Sequence, residues 1–182
     1  VDWGPVIGAY FASLLLASAY ISIGLYVSSR TDSQIFSMIV TSLLCLFFYL
    51  IGSDIVVSLL GQKQSEMLKL LGSGSRFASI SRGILDFRDV YYYLSITLVF
   101  LALNTYSIEK SNWSTEKSKS SHTNKRLTVA MLMLNVIFAN FWLSKVNSVR
   151  WDLTEKKIYS ISPATRKVLS GLNEPLLIRG YF

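Results

Sequence analysis

The chain has 182 residues, of which 18 are basic and 11 acidic, and charged residues make up 16% of it, against roughly 25% in average soluble proteins. Its 51% content of hydrophobic residues excludes an intrinsically disordered protein, because disorder requires few apolar residues. The charges are absent from four runs, and this segregation excludes a single globular domain with evenly solvated helices. The uncharged runs are 3–29, 33–53, 90–108 and 127–144.

Each uncharged run is long enough to cross a bilayer. A transmembrane helix needs about 20 mostly apolar residues to span a hydrocarbon core about 30 Å thick. We therefore predict spans at about 5–29, 34–51, 90–108 and 127–144, the last of which contains Asn135 and Asn140.

The first two spans are joined by a very short turn, so they should form an antiparallel hairpin. Small residues recur along the first span, at Gly8, Ala12, Ala19 and Gly24. Such residues allow close contact between helices in lipid. We therefore expect the first span to pack tightly against its neighbours.

Between the second and third spans the chain is interrupted by glycines and never reaches spanning length. Two short helices are predicted there, at about 54–71 and 76–89, with a break at 72–75. Irregular backbone at membrane depth is tolerated only where protein or water covers it. The segment therefore predicts a re-entrant or interfacial helix pair.

The third span opens with the tyrosine run 91–93, which we interpret as an aromatic belt at the membrane interface. It is followed by a polar, Ser-rich segment, 109–126, that we predict to be a linker. Lys and Arg are denser in 30–34 and 109–126 than in the segments on the other side, which places these two segments in the cytoplasm.

The segment 145–182, beyond the fourth span, has the composition of a soluble domain. Ser162 and Pro163 are typical of a helix start and Gly171 of its end, and 176–181 resemble a strand. A small α/β domain should begin here. Because the sequence opens without Met and closes in this strand, we expect it to be part of a longer protein.

Metal and thiol chemistry are not expected. Cys45 and His122 are each the single residue of their type, so they form neither a zinc site nor a nucleophile pair. The net charge of +7 requires no nucleic acid partner, because basic linker residues beside anionic lipid account for part of it.

Three stretches resemble a known family of transporters. The first two, 10–34 (YFASLLLASAYISIGLYVSSRTDSQ) and 72–93 (GSGSRFASISRGILDFRDVYYY), resemble the closing half of type 2 ABC exporter permeases of the gliding-motility-associated kind. In such permeases the last two spans flank a short extracytoplasmic helix pair that dips into the membrane. The third, 151–182 (WDLTEKKIYSISPATRKVLSGLNEPLLIRGYF), resembles the entry to the extracytoplasmic domain of the gliding-type auxiliary protein, which follows one anchoring helix.

The resemblance implies an all-α polytopic protein of the bacterial cytoplasmic membrane, with four transmembrane helices and a re-entrant helix pair between the second and third. Its parts would be the C-terminal transmembrane part of a permease at 1–108, a cytoplasmic linker at 109–126, an anchor helix at 127–144 and the beginning of an extracytoplasmic α/β domain at 145–182. The earlier spans and the coupling helix of a complete permease are absent.

The resemblance also implies partners. The chain contains no Gly-x-x-x-x-Gly-Lys-Ser/Thr loop to hold ATP phosphates, so ATP should be bound by a separate ABC ATPase subunit, with Arg30 and Asp32 as candidate contacts. A second permease copy or a homologue would complete a dimer, and membrane lipid would surround it. We expect no enzymatic activity, cofactor or nucleic acid partner in this chain.

Three charged residues are candidates for an outer transport gate. Arg82, Asp86 and Asp89 are spaced i, i+4 and i+7, which places them on one face of the predicted helix 76–89. Ionisable groups at membrane depth are costly and tend to pair or face water. The alternative is a solvated face with ordinary Arg–Asp pairs, each worth about 0.3–0.5 kcal/mol.

Two other functions compete with transport. A membrane-anchored scaffold would use the helices only to hold an extracytoplasmic domain in place. An intramembrane hydrolase is disfavoured, because it requires paired carboxylates or Ser with His inside the bilayer, and Asp54 alone lies close to that position.

Overall fold

The computed structural model describes residues 2–51, 53, 56, 72–112, 119–145, 150–155, 157–160 and 162–171. Most of them are helical. The elements are α1 (Trp3–Ser28), α2 (Gln34–Leu50), α3 (Ser73–Ser81), β1 (Ile84–Asp86), α4 (Phe87–Asn112), α5 (Lys119–Lys145), β2 (Arg150–Asp152) and α6 (Pro163–Ser170). Asp54, most of the predicted helix 54–71 and the predicted strand 176–181 lie outside the described residues.

Helix α1 is the centre of the bundle, where it packs against α2, α3 and α4. Its N-terminus is capped by the Asp2 carboxylate, which accepts a hydrogen bond from the Gly4 amide at 3.0 Å. Its buried face is built mainly from small residues, as the sequence predicted for Gly8, Ala12 and Ala19. That face comprises Gly4, Gly8, Ala12, Leu15, Ala19, Ser22, Ile23 and Val27.

The small residues of α1 allow other backbone segments to approach it closely. A Cβ atom at Gly8 would clash with the carbonyl oxygen of Ile80 in α3, and one at Gly4 would clash with the carbonyl oxygen of Leu153. The side-chain core of the bundle is formed where Ala12, Leu15 and Ala19 meet buried residues of the neighbouring helices, namely Ile80, Tyr92 and Tyr93.

Helices α1 and α2 form the predicted hairpin, in which Gly24 lies opposite Thr41. Helix α2 does not extend as far as the N-terminal end of α1. Its last turn meets the start of α3 instead. There the Ser73 hydroxyl donates to the Phe48 carbonyl at 3.1 Å and also contacts the Tyr20 hydroxyl at 2.8 Å.

Helix α3 then runs along α1 towards the N-terminus of α1. It begins beside Tyr20, and the turn that follows it contacts Pro5. Fifteen residues of α1 separate these two points, which corresponds to about 22 Å at 1.5 Å per residue. The start of α3 therefore lies deep in the bundle. From the end of α2, α3 continues in the same direction, towards the N-terminal end of α1.

The directions of the other two long helices follow from polar contacts between them. Helix α4 runs parallel to α1, since Ser18 faces Thr97 at 3.5 Å and the Ser107 hydroxyl donates to the Ser29 carbonyl at 3.5 Å. Helix α5 runs antiparallel to α4. The Asn140 amide donates to the Ser95 hydroxyl at 2.9 Å near one end, and the guanidinium of Arg126 donates to the hydroxyl of Tyr106 at 3.0 Å near the other.

A two-stranded antiparallel sheet ties the segment after α5 to the rest of the bundle. Strand β1 pairs with β2, with Leu85 opposite Trp151, and the ladder continues where the Leu153 amide donates to the Gly83 carbonyl at 2.9 Å. The Glu155 amide donates to the Asp2 carboxylate at 3.2 Å. The start of α1, the end of α3 and the segment following α5 therefore meet at one end of the bundle.

Two of the described helices are long and apolar enough to cross a membrane. They are α1, and the segment 124–143 within α5. Helix α2, with 17 residues, is too short for that criterion. Helix α4 is less apolar, because it carries four tyrosines and several hydroxyl and amide side chains. The structure thus supports a mostly helical protein with two possible spans, where the sequence predicted four.

The predicted helix 76–89 is wrong. Helix α3 ends at Ser81, and Gly83 adopts a φ of 85°. This left-handed conformation is readily accessible only to glycine and interrupts the helix. The three residues after Gly83, Ile84–Asp86, form β1 and pair with β2 instead.

Helix also covers both ends of the predicted linker 109–126. Helix α4 continues to Asn112, and α5 already begins at Lys119. The physical reason is composition, since the segment contains neither Gly nor Pro to end a helix. In contrast, the predicted start of a helix after Ser162 is confirmed, because the Ser162 hydroxyl accepts from the Thr165 amide at 3.1 Å.

We predict that Gly8→Ala lowers the free energy of unfolding by about 1–3 kcal/mol, because the new methyl group would force α3 away from α1. Thermal unfolding of the purified protein in mild detergent measures the effect. Gly24→Ala is the matched control, since its methyl would meet only the Thr41 side chain, at 3.3 Å. Equal stability of the two variants would contradict the close contact at Gly8.

Candidate functional site

A buried ion pair joins α3 to the start of α4. The Arg76 guanidinium lies 2.8 Å from the Asp89 carboxylate, and the side chains are only 10% and 11% exposed. The same guanidinium lies over the Tyr92 ring, 4.3 Å from its centroid, in a cation–π arrangement. Since neither charge reaches water freely, the pair holds these two elements together.

A second ion pair lies beside the first. The Asp86 carboxylate in β1 is 2.9 Å from the Arg88 guanidinium and also accepts a hydrogen bond from the Arg88 backbone amide at 3.0 Å. Asp86 is 2% exposed, whereas the Arg88 side chain is 33% exposed. The two acids are thus buried next to each other, and each is neutralised by an arginine.

The structure brings together only two of the three predicted gate residues. Asp86 lies in the strand and Asp89 in α4, but Arg82 lies in the exposed turn after α3 and takes no part in the cluster. Their placement on one helix face is therefore wrong, because Gly83 ends the helix between them. The basic members of the cluster, Arg76 and Arg88, were missed.

No helical spacing could have revealed Arg76, because its partner lies 13 residues away on another element. The sequence did contain a signal for this arrangement. Gly83 lies inside the predicted helix 76–89 and indicates a break in it. With a break there, the charges on both sides become free to meet across the turn.

The start of α3 is fixed by hydroxyl groups rather than by a capping side chain. The Tyr93 hydroxyl donates to the Ser73 carbonyl at 2.7 Å, and Tyr20 contacts the Ser73 hydroxyl from α1. Tyr92 and Tyr93 are 5% and 0% exposed. The interpretation of these two tyrosines as an interfacial belt is therefore wrong, because both pack inside the bundle, where Tyr92 contacts Arg76 and Tyr93 hydrogen-bonds to Ser73.

The candidate contacts for an ATPase lie at the opposite end of the bundle. Arg30 and Asp32 are exposed in the turn between α1 and α2. The Arg30 guanidinium lies 5.7 Å from the centroid of the Tyr26 ring. Both side chains are accessible there to another protein.

Next to the ion pair is a cavity of about 410 Å³ between α2, α3, α4 and α5. Aliphatic and aromatic side chains form nearly all of its wall, and Arg76 and Tyr92 contribute to one side. Ser95 and Asn140 also line it, but they already bind each other at 2.9 Å. Such a lining suits an apolar chain better than a polar ligand.

A single carboxylate organises the loop after β2. The Asp152 carboxylate accepts hydrogen bonds from the Thr154 hydroxyl, from the Tyr159 amide at 2.9 Å and from the Ser160 hydroxyl at 2.9 Å. These donors, with the Thr154 hydroxyl first, lower the pKa of Asp152 below its ordinary value of 3.8. Its contribution to loop stability is therefore complete above that value and is lost as the pH falls through the lowered pKa.

In the part of the chain that the structure describes, no group of three His, Cys, Asp or Glu side chains could hold a metal ion. No protein-family model, curated protein or solved structure matches the chain. In this site two arginines, two aspartates and three tyrosines connect α3 and β1 to α1 and α4.

We predict that Arg76→Met lowers the free energy of unfolding by about 3–5 kcal/mol, because it leaves the buried Asp89 carboxylate without its counter-charge. The double variant Arg76→Met/Asp89→Leu should recover most of that loss. Chemical unfolding in detergent measures both.

The matched control is Lys125→Met, which removes an ion pair of similar length, 2.9 Å to Glu109, that is almost half exposed. It should change stability by no more than about 1 kcal/mol. If the double variant were as unstable as Arg76→Met, the loss of stability could not be due to an unpaired Asp89 charge.

Proposed function

We propose that this chain is a membrane-spanning subunit of an ABC-type exporter of the bacterial cytoplasmic membrane, which couples ATP hydrolysis by a separate ATPase to transport. The proposal starts from the resemblance of 10–34 and 72–93 to gliding-motility-associated permeases. The observation that carries it furthest is the position of α3, which begins deep beside Tyr20 and returns between α2 and α4. This arrangement fits the expected re-entrant element.

We propose four spans, although only two of the described helices are long and apolar enough to cross a membrane. Helix α2 rises about 26 Å over its 17 residues, and α3 adds about 14 Å towards the same end. Helix α4, with 26 residues, rises about 39 Å. Since α4 runs parallel to α1 and packs along it, it would cross the same hydrocarbon layer as α1.

The gate, in this proposal, is the contact between α3 and α4. A charge pair excluded from water is strong when closed and costly to separate unless water or substrate replaces the lost partner. Arg76 and Asp89 would hold the outer side shut, and movement of α3 away from α4 would open it. Arg82 has no part in this gate, because it is exposed outside the cluster.

The ATPase would act at the opposite end of the bundle from the gate. The turn with Arg30 and Asp32 is exposed where the cytoplasmic ATPase is expected. Helix α1 runs continuously from this turn to the buried contacts of Gly8 with α3. A displacement of the turn by the ATPase would therefore be transmitted to the gate through one helix. A second permease copy or homologue would complete the pathway.

A membrane-anchored scaffold is the second candidate, and one observation favours it. Strand β2 and the Glu155 amide fasten the segment after α5 to β1 and Asp2. A domain that follows β2 would be held rigidly at the bundle surface, as a scaffold for a partner protein requires.

We predict that, in sealed vesicles, cysteines introduced at Arg82 and Ser160 are labelled from one face and a cysteine at Asp32 from the other. All three positions are exposed, and Cys45→Ser removes the only native thiol. A chain in which only α1 and α5 cross would instead expose positions 82 and 32 on the same face. That result would overturn the four-span arrangement.

We predict that the protein, purified from membranes in mild detergent, co-isolates an ATPase. Arg30→Ala should weaken this complex by about fivefold, the effect of losing roughly 1 kcal/mol of contact energy. Arg82→Ala, at the opposite end, is the matched control and should leave the complex unchanged. A stable complex with another protein and without any nucleotide-binding subunit would support the scaffold instead.

A further inference from the structure

Helix α5 has two different faces. The face towards α4 is partly buried and includes Val129, Leu132, Met133, Val136 and Asn140. The opposite face is exposed between Thr128 and Trp142, and it carries Thr128, Met131, Asn135, Phe138 and Trp142. We refer to these five exposed residues as the outer stripe of α5.

The outer stripe carries no charge but contains one amide. Lys125 and Arg126 at the start of α5 turn to Glu109 and Tyr106 of α4, away from the stripe. Asn140, on the inner face, hydrogen-bonds to Ser95 and to the Val136 carbonyl. The Asn135 amide, in contrast, has no hydrogen-bond partner among the described residues.

The depth of Asn135 makes this exposed amide costly. Within the apolar segment 124–143, Asn135 lies about 12 Å from the Leu143 end and about 16 Å from the Asn124 end. In a hydrocarbon core about 30 Å thick, that position is close to the centre. An amide there has no water to bind, so a partner in a neighbouring helix stabilises it.

We propose that the outer stripe of α5 binds the same stripe of a second copy of this chain, with the two Asn135 amides hydrogen-bonded to each other across a two-fold axis. This inference rests on the membrane embedding of α5 that the proposed function includes. It assigns the contact to the anchor helix, separate from the permease part.

A second copy fits the stripe better than an unrelated helix for two reasons. Both copies insert with the same orientation, so a two-fold axis along the membrane normal brings each Asn135 to the same depth as its counterpart. An amide also carries both a donor and an acceptor, so two amides satisfy each other without a further residue. Met131 and Phe138, one turn to either side, would supply the packing around the pair.

Cysteine cross-linking in native membranes tests the contact. In a Cys45→Ser background, single cysteines at Met131, Asn135 and Phe138 should give disulfide-linked dimers. Cysteines at Met133 and Ile137, on the opposite side of α5, are matched controls and should cross-link severalfold less. Equal yields at all positions, a maximum on the opposite side, or linkage of position 135 to a different polypeptide would overturn the proposal.

Conservative variants test whether the Asn135 amide stabilises the dimer or merely lies near the contact. Asn135→Leu should weaken self-association about 3- to 20-fold, the range for hydrogen bonds between membrane helices. Asn135→Gln keeps donor and acceptor and should retain most of it. Unchanged association of Asn135→Leu would overturn the role of the amide.

An alkaline wash distinguishes failure of this inference from failure of the membrane assignment. Chains that stay in the membrane without cross-links overturn the α5 contact alone. Release of the chain by the wash would overturn the membrane embedding and the contact together.

Discussion

The close approach of α3 and of the segment after β2 to the backbone of α1 is the constraint on which the bundle depends. At Gly4 and Gly8 the facing carbonyl groups occupy the space in which a side chain would otherwise lie. Because α3 can approach α1 at Gly8, Arg76, one turn before Ile80 in α3, comes within 2.8 Å of Asp89 in α4. The position of the buried charges therefore depends on the missing side chain at Gly8.

The buried charges in turn define what α3 can do. A nine-residue helix has little stability of its own, so its placement relies on contacts with its neighbours. Hydroxyl groups of Tyr20 and Tyr93 hold its first residue, and the ion pair holds its first turn. In the proposed gate, these polar contacts and the packing of Ile80 against α1 would have to break before α3 could move.

Local sequence signals predicted the parts of this fold that depend on local physics. The spacing of small residues identified the buried face of α1, and Ser162 identified the start of α6, because capping and helical periodicity act within a few residues. The strands β1 and β2 could not be predicted. Each has three residues, and they pair across two intervening long helices. Tyr92 and Tyr93 were misplaced because an aromatic residue at the start of a span suits a membrane interface and a buried contact equally well.

The pairing of β1 with β2 imposes an order on biosynthesis. Strand β1 leaves the ribosome about 65 residues before β2, which corresponds to several seconds at about 5–20 residues per second. During that interval the edge of β1 has no strand beside it, and β2 can arrive only after α4 and α5 have both been made. The sheet can therefore form only after α4 and α5 have been synthesised.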